Sequence, residues 1–158
     1  MRRTFLIALV SLIVAVLGLP ATGVAKPLHG LRFFHTADNN IACGMVKPQK
    51  KNKRKHIPRN PGEARCDVKN HSWTAPPRPS KCDLDWGFGI VVSGGFANYV
   101  CAGDTVADQS APVLAPGGSI TLGPYTCTVP AIPVTTVQCQ NNATAHGFQV
   151  SADAVVLS

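Results

Sequence analysis

Four residues of this sequence carry the side chains that acid–base chemistry or cation binding requires. Asp83 and Asp85 precede a Gly-rich stretch, Asp104 follows it, and His146 stands just before Gly147. Carboxylates with an imidazole can act as general acid and base, and carboxylate oxygens can bind Ca²⁺. However, Asp beside Gly at a strand end commonly accepts hydrogen bonds from turn N–H groups, and a single Asp-x-Asp lacks the further oxygens of a calcium loop. These residues are the catalytic candidates, but the structural interpretation is favoured.

No stronger catalytic or cofactor motif accompanies them. The sequence contains no GxSxG, HExxH, P-loop or SxxK pattern. It also contains no CxxC, and its cysteines are too widely spaced for a zinc site built on pairs two to four residues apart. We therefore expect no cofactor and no metal, and an enzymatic activity is less expected than a binding role.

The six cysteines predict disulfides instead. An even number in an exported chain of this size is typical of a disulfide-bonded domain. Six cysteines allow 15 connectivities, of which sequence proximity favours one. Its pairs are Cys43 with Cys66, Cys82 with Cys101, and Cys127 with Cys139.

The N-terminus predicts that export. Arg2 and Arg3 are followed by the apolar run from Phe5 to Leu19 and by small residues that end at Ala25. This pattern is typical of a cleaved secretory signal, and the apolar run is shorter than the 20 or so residues that span a bilayer. We therefore expect a signal peptide over residues 1–25 and one secreted or envelope domain over residues 26–158.

A basic loop interrupts that domain at residues 46–62. It contains three prolines and seven of the 13 basic residues that follow the signal, which leaves six basic against eight acidic residues elsewhere. Such a concentration attracts polyanions, which here means an anionic cell-wall polymer, a sulfated glycan, nucleic acid or an anionic lipid surface. The alternative is a solvated loop that only adds solubility. The basic residues are Lys47, Lys50, Lys51, Lys53, Arg54, Lys55 and Arg59.

Short strands separated by turn residues predict the fold. Asp38-Asn39-Asn40 and Gly94-Gly95 each favour a hairpin turn, and the alternation around Cys127 and Cys139 places these two cysteines opposite each other across neighbouring strands. No sustained helical periodicity occurs after the signal. The expected fold is all-β, a small disulfide-bonded sandwich or barrel of antiparallel strands.

The pairing of Cys82 with Cys101 is harder to accommodate. A two-residue turn at Gly94-Gly95 places Phe88, and not Cys82, opposite Cys101. The disulfide then requires the chain from Cys82 to Gly87 to bend back across the sheet. Asn142-Ala143-Thr144 is in addition a glycosylation sequon, whose use depends on the host.

Several motifs along the chain resemble a known family. They are Asn40-Ile41-Ala42-Cys43, Arg65-Cys66-Asp67, Trp73, Cys82-Asp83-Leu84-Asp85-Trp86-Gly87, Val100-Cys101-Ala102-Gly103-Asp104-Thr105, Tyr125-Thr126-Cys127 and His146-Gly147-Phe148. In this order they are similar to a secreted actinobacterial family of disulfide-bonded β-domains of unknown function. The resemblance implies export, disulfides and a β-rich fold, and it implies no mechanism. It also implies that the basic loop is an insertion, because family members pass more directly from the first cysteine to Arg-Cys-Asp.

Three functions follow from the sequence. The first is an exported, non-enzymatic domain whose basic loop binds an anionic polymer of the envelope or host. The second is a small envelope enzyme that uses the carboxylates and His146, and the third is a purely structural secreted module. Convergence of the four candidate side chains in one cleft would favour the enzyme, and their dispersal would favour the binding domain.

Overall fold

The computed structural model describes residues 30–55 and 59–158, which form ten antiparallel strands. The first five strands are β1 (Leu31–His35), β2 (Ile41–Val46), β3 (Glu63–Val68), β4 (Asp85–Ser93) and β5 (Phe96–Ala102). The second five are β6 (Ser119–Leu122), β7 (Tyr125–Thr128), β8 (Val137–Asn141), β9 (Gly147–Val150) and β10 (Val155–Leu157). The predicted signal peptide, residues 1–25, lies outside the described residues. No helix of membrane-spanning length and hydropathy occurs in the two described ranges.

The strands form two five-stranded sheets that pack face to face. Each sheet is a meander, with the orders β1-β2-β3-β4-β5 and β10-β9-β8-β7-β6, and one hydrophobic core lies between them. In β3, Ala64 and Cys66 enter this core while Arg65 and Asp67 point to the opposite face, as the two-residue period of a strand requires. The all-β prediction is confirmed, and of the two architectures considered the protein adopts the sandwich, because neither sheet closes into a barrel.

Two predicted turns form as expected. At the β1–β2 turn, Asn39 has a φ of 55°, and Asp38 Oδ1 accepts hydrogen bonds from the Thr36 hydroxyl (2.6 Å) and the Asn40 N–H (3.1 Å). At the β4–β5 turn, Gly94 has a φ of 58°. Left-handed backbone of this kind is accessible to Gly and tolerated by Asn, which is why these residue types connect the strands.

The expectation that Phe88 lies opposite Cys101 is wrong. Pairing is regular from the turn to Ile90, which faces Tyr99, but the next pair is Trp86 with Cys101. Three residues of β4 therefore face one residue of β5, and Gly87 within this irregularity has a φ of 82°. Extra residues on one strand bend it. The chain before β4 thereby returns towards β5, and Cys82 bonds Cys101 with a Cα–Cα distance of 5.9 Å.

All three predicted disulfides are present, and no cysteine is free. The bridges Cys43–Cys66 and Cys127–Cys139 each join directly opposed residues of neighbouring strands, with Cα–Cα distances of 4.1 Å. The two bridges meet in the centre of the sandwich, where Cys66 Sγ lies 3.7 Å from Cys139 Sγ. The third bridge is peripheral, since Cys101 is exposed.

Replacing Cys127 and Cys139 together by serine is expected to destabilise the protein more than replacing Cys82 and Cys101. Loop closure alone predicts about 3 kcal/mol for either pair, since the paired residues are 12 and 19 positions apart. The core pair also leaves two hydroxyls in a buried apolar site, which costs further free energy. Urea unfolding of both double variants measures the difference. An equal or larger loss for the peripheral pair would contradict this expectation.

Candidate functional site

The four candidate catalytic residues lie at opposite ends of one hairpin. Asp83 and Asp85 are exposed near the start of β4, and Asp104 follows the end of β5, so the three carboxylates share one end. His146 lies at the other end, next to the Gly94-Gly95 turn. Its Cδ2 is 4.0 Å from the position that a Cβ atom on Gly95 would take. The length of β4 separates the two ends by roughly 25 Å. His146 therefore cannot exchange protons directly with these carboxylates.

The described residues also contain no metal-binding cluster. Nowhere in the two described ranges do three or more His, Cys, Asp or Glu side chains lie close enough together to hold a metal ion. Of the three candidate carboxylates, Asp83 and Asp85 are exposed to solvent, and Asp104 binds an arginine.

That arginine is Arg65, which binds two carboxylates. Its Nε and Nη2 donate to the two oxygens of Asp67 at 2.8 and 3.0 Å, which is the parallel two-bond geometry of a strong Arg–carboxylate pair. Its Nη1 donates to Asp104 Oδ1 at 2.8 Å, and Nη2 also donates to the Asp104 carbonyl at 2.6 Å. Arg65 and Asp67 are buried, whereas the Asp104 side chain is 80% exposed. Arg65 thus connects the buried Asp67 to the exposed Asp104.

The local sequence explains why Arg65 lies beside Asp67. Arg65 and Asp67 are two residues apart in β3 and therefore project from the same outer face of the first sheet. Gly89 is the cross-strand partner of Asp67, and any larger side chain there would collide with Asp67 Oδ1. The ring of Phe88 lies 5.4 Å from Arg65 Cζ, within the range of a cation–π contact.

Asp67 also holds the segment that connects the two sheets, residues 103–118, here called the crossover segment. Asp67 Oδ2 accepts hydrogen bonds from the Thr105 hydroxyl and the Val106 N–H, both at 3.0 Å. Val106 then packs over Gly44, where even a methyl group would be only 3.1 Å from the Val106 side chain. Further along, the Leu114 N–H donates to the His35 carbonyl at 2.9 Å. The crossover segment therefore covers the outer face of the first sheet from β5 to β1.

The charges of this cluster stabilise one another. Burial by itself would lower the pKa of Arg65, but the hydrogen bonds and charges of Asp67 and Asp104 outweigh it and raise the pKa of Arg65. The hydrogen bond and charge of Arg65 lower the pKa of Asp104. An acid held ionised by a neighbouring cation is a poor proton donor at neutral pH. Asp104 therefore acts as an anchor for the crossover segment.

A cleft of about 320 Å³ with both polar and apolar walls adjoins the cluster. Its walls include Asn39, Lys69, Phe88, Thr105 and Gln109. These side chains could hold a small polar molecule, but they do not include a nucleophile beside a base. The sequence did not indicate this cleft, since its walls come from four separate segments of the chain.

The cations of the basic loop are exposed. All seven cations from Lys47 to Arg59 have exposed side chains. The two ion pairs found in the described residues both belong to Arg65, so no carboxylate of those residues pairs with the loop. The positive charge of the loop is therefore directed to solvent.

The two ends of the loop are held together at the sandwich. Gln49 and Asn60 exchange backbone hydrogen bonds of 2.8 and 3.0 Å. Below this pair, Gly62 approaches Pro48 and the Val46 carbonyl so closely that it cannot carry a side chain, and its φ is 72°. The cations from Lys50 to Arg59 lie between the two residues of this clamp in the sequence. The fold thus presents them from a fixed base.

Arg65→Met is expected to lower the free energy of unfolding by about 3 kcal/mol, because it leaves Asp67 buried without its cation. Asp104→Ala removes only the exposed partner and should have a much smaller effect. Urea unfolding measures both. If Arg65→Met were as stable as the wild type, the Arg65–Asp67 pair would not be holding the outer face together.

The second expectation for this cluster concerns acid. Because the folded-state pKa of Asp104 lies below its unfolded value of about 4, its contribution to stability is present above that pH and is lost as the pH falls through the folded-state pKa. Asp104→Asn should therefore show a smaller loss of melting temperature than the wild type between about pH 5 and pH 2. If the melting temperatures of the two proteins fell by the same amount as the pH was lowered, the Arg65–Asp104 pair would not be contributing to stability.

The comparisons with known proteins identify a family. No curated protein and no solved structure matches the chain. Residues 8–157 match a family described as "Family of unknown function (DUF6636)". The match covers nearly the whole sequence, including both sheets and all six cysteines. The chain therefore belongs to the family of unknown function DUF6636.

Proposed function

We propose that this protein is an exported, non-enzymatic β-domain that binds an anionic polymer through its basic loop. Export is supported by the predicted signal peptide over residues 1–25. It is also supported by the three disulfides, which indicate an oxidising environment. The distance of His146 from Asp83, Asp85 and Asp104 favours this proposal over the small envelope enzyme.

The observation that carries the proposal is the state of the loop cations. Seven exposed cations follow one another over 13 positions, and no carboxylate of the described residues pairs with them. A cluster of this kind creates a local positive potential even though the rest of the mature chain carries more acidic than basic residues. The clamp at Gln49 and Asn60 limits the chain entropy that the loop would lose on binding.

The loop composition narrows the class of polymer. An anionic cell-wall polymer, a sulfated glycan, nucleic acid and an anionic lipid surface all offer closely spaced negative charge. The segment from Lys47 to Arg59 contains no Phe, Tyr or Trp, so it lacks the large aromatic side chains on which the bases of a single-stranded nucleic acid stack, and this weakens the nucleic-acid version of the proposal. A loop that serves only solubility would have the same exposure, and binding distinguishes the two roles.

The first test uses two charge-matched double variants. Lys50→Ser with Lys51→Ser should elute from heparin at clearly lower salt than the wild type. Lys69→Ser with Lys81→Ser removes the same charge from exposed positions outside the loop and should elute close to the wild type. If the two variants eluted together, net charge rather than the loop would govern retention.

The second test removes all five cations from Lys50 to Lys55. This variant should keep its melting temperature, since these side chains are exposed. Wild-type affinity for the polyanion should fall on the order of a hundredfold between about 50 and 200 mM salt, because neutralised anionic sites release counterions. The variant should lose most of this affinity and its salt dependence. Equal binding by both proteins would leave the loop as a solvated segment.

A further inference from the structure

Most of the second sheet lies in a part of the chain that has no charged side chains. Residues 109–152 include no Lys, Arg, Asp or Glu, and this range contains four of the five strands of that sheet. Charged residues make up about 25% of a typical soluble domain. An uncharged surface of this extent therefore needs an explanation in terms of what it contacts.

The outer face of this sheet presents mainly hydroxyl and amide groups instead, with the exposed side chain of Val156 beside Gln149. Cross-strand pairs bond within the face, as Thr121 does with Thr126 (2.9 Å between hydroxyl oxygens) and Gln138 with Gln149 (2.8 Å). A shallow cleft of about 340 Å³ runs across these rows. The residues that form the rows are Thr121, Thr126, Thr128, Gln138, Gln140 and Gln149.

These side chains match the hydrogen bonding of a sugar. Each Thr hydroxyl and each Gln amide can both donate and accept, which is what a ring carrying several hydroxyl groups requires. A protein partner would match less well, because protein interfaces are enriched in aromatic residues, Met and Arg. The aromatic side chain of β9, Phe148, points into the core and is 4% exposed. The composition of the face thus favours a polysaccharide.

The face adjoins the base of the basic loop. A methyl group on Gly123, in the β6–β7 turn, would lie 2.9 Å from Pro48 Cδ and 3.8 Å from Lys47 Cγ. In the same region the side-chain amide of Asn142 donates to the Thr126 hydroxyl at 2.9 Å. One extended polymer could therefore contact the loop and the face together.

We propose that the outer face of the second sheet binds the sugar units of an acidic polysaccharide whose anionic groups contact the basic loop. This inference rests on the proposed function and specifies its ligand class. The two surfaces divide the recognition, since the loop attracts any polyanion and the face selects one that carries hydroxyl groups. Glycan attachment at Asn142, which is exposed at the edge of the cleft, would obstruct this face.

The experiment compares two polyanions by isothermal titration calorimetry. Polygalacturonate is acidic and carries hydroxyl groups, whereas inorganic polyphosphate has charge and no sugar. Gln138→Ala with Gln149→Ala should weaken polygalacturonate binding about tenfold, through the loss of hydrogen bonds to the sugar. The same variant should bind polyphosphate like the wild type. The matched control, Asn70→Ala with Asn98→Ala, removes two exposed amides elsewhere and should leave both affinities unchanged.

The outcomes separate the two proposals. Unchanged melting temperatures establish that both double variants are folded. If the Gln138 and Gln149 variant binds polygalacturonate as tightly as the wild type while the five-cation loop variant loses it, the face is not a sugar site and the loop proposal stands. If the five-cation loop variant binds polyphosphate as tightly as the wild type, the proposed function itself fails. If sedimentation shows wild-type dimers that the face variant cannot form, the face is an interface between copies and the polysaccharide proposal is overturned.

Discussion

Burial of Arg65 with Asp67 on the outer face of the first sheet is the constraint on which the rest of the architecture depends. A buried carboxylate needs its hydrogen bonds satisfied, and here the guanidinium, a hydroxyl and a backbone N–H together supply them. The last two groups come from the crossover segment, so the ion pair is satisfied only when that segment lies across the sheet. Removing either partner would leave a buried charge unpaired, so the pair favours the one arrangement in which all of its hydrogen bonds are made. In this protein the arrangement concerned is the connection between the two sheets.

The interior depends on a second constraint, which is covalent. Most buried side chains of the core are small or medium in size, such as Ala64, Val92, Val137 and the cysteines. A chain of this length buries only a modest apolar surface, and disulfides compensate by restricting the unfolded chain. Contact between the Cys43–Cys66 and Cys127–Cys139 bridges places this restriction where the sheets face each other. The outer surfaces are therefore less constrained by folding than the core.

The distribution of charge across those surfaces is uneven. Positive charge is concentrated in the loop between β2 and β3, acidic groups are grouped around the β4–β5 end, and the second sheet has neither. Long-range attraction falls off over about 8 Å in physiological salt, whereas hydrogen bonds act only on contact. The roles proposed for the basic loop and for the neutral face are therefore complementary in range. This division supports surface recognition as the way in which the domain acts.

The sequence by itself determined the features that depend on neighbours in the chain. The all-β class, the turns at Asn39 and Gly94, and the opposition of Cys127 and Cys139 all follow from two-residue alternation and turn chemistry, which are local. The register near Cys101 did not follow, because the irregularity at Gly87 changes the partner of that residue.

Only the tertiary structure decided the role of Asp104. Arg65 and Asp67 could be placed on one face of a strand from their spacing, but Asp104 is 39 residues away, and its partnership with Arg65 depends on where the crossover segment runs. The same holds for His146, which the fold carries to the far end of the β4–β5 hairpin. Residue types show which chemistry is available, whereas the packing of distant segments determines which groups meet, because those contacts form only when the two sheets are assembled.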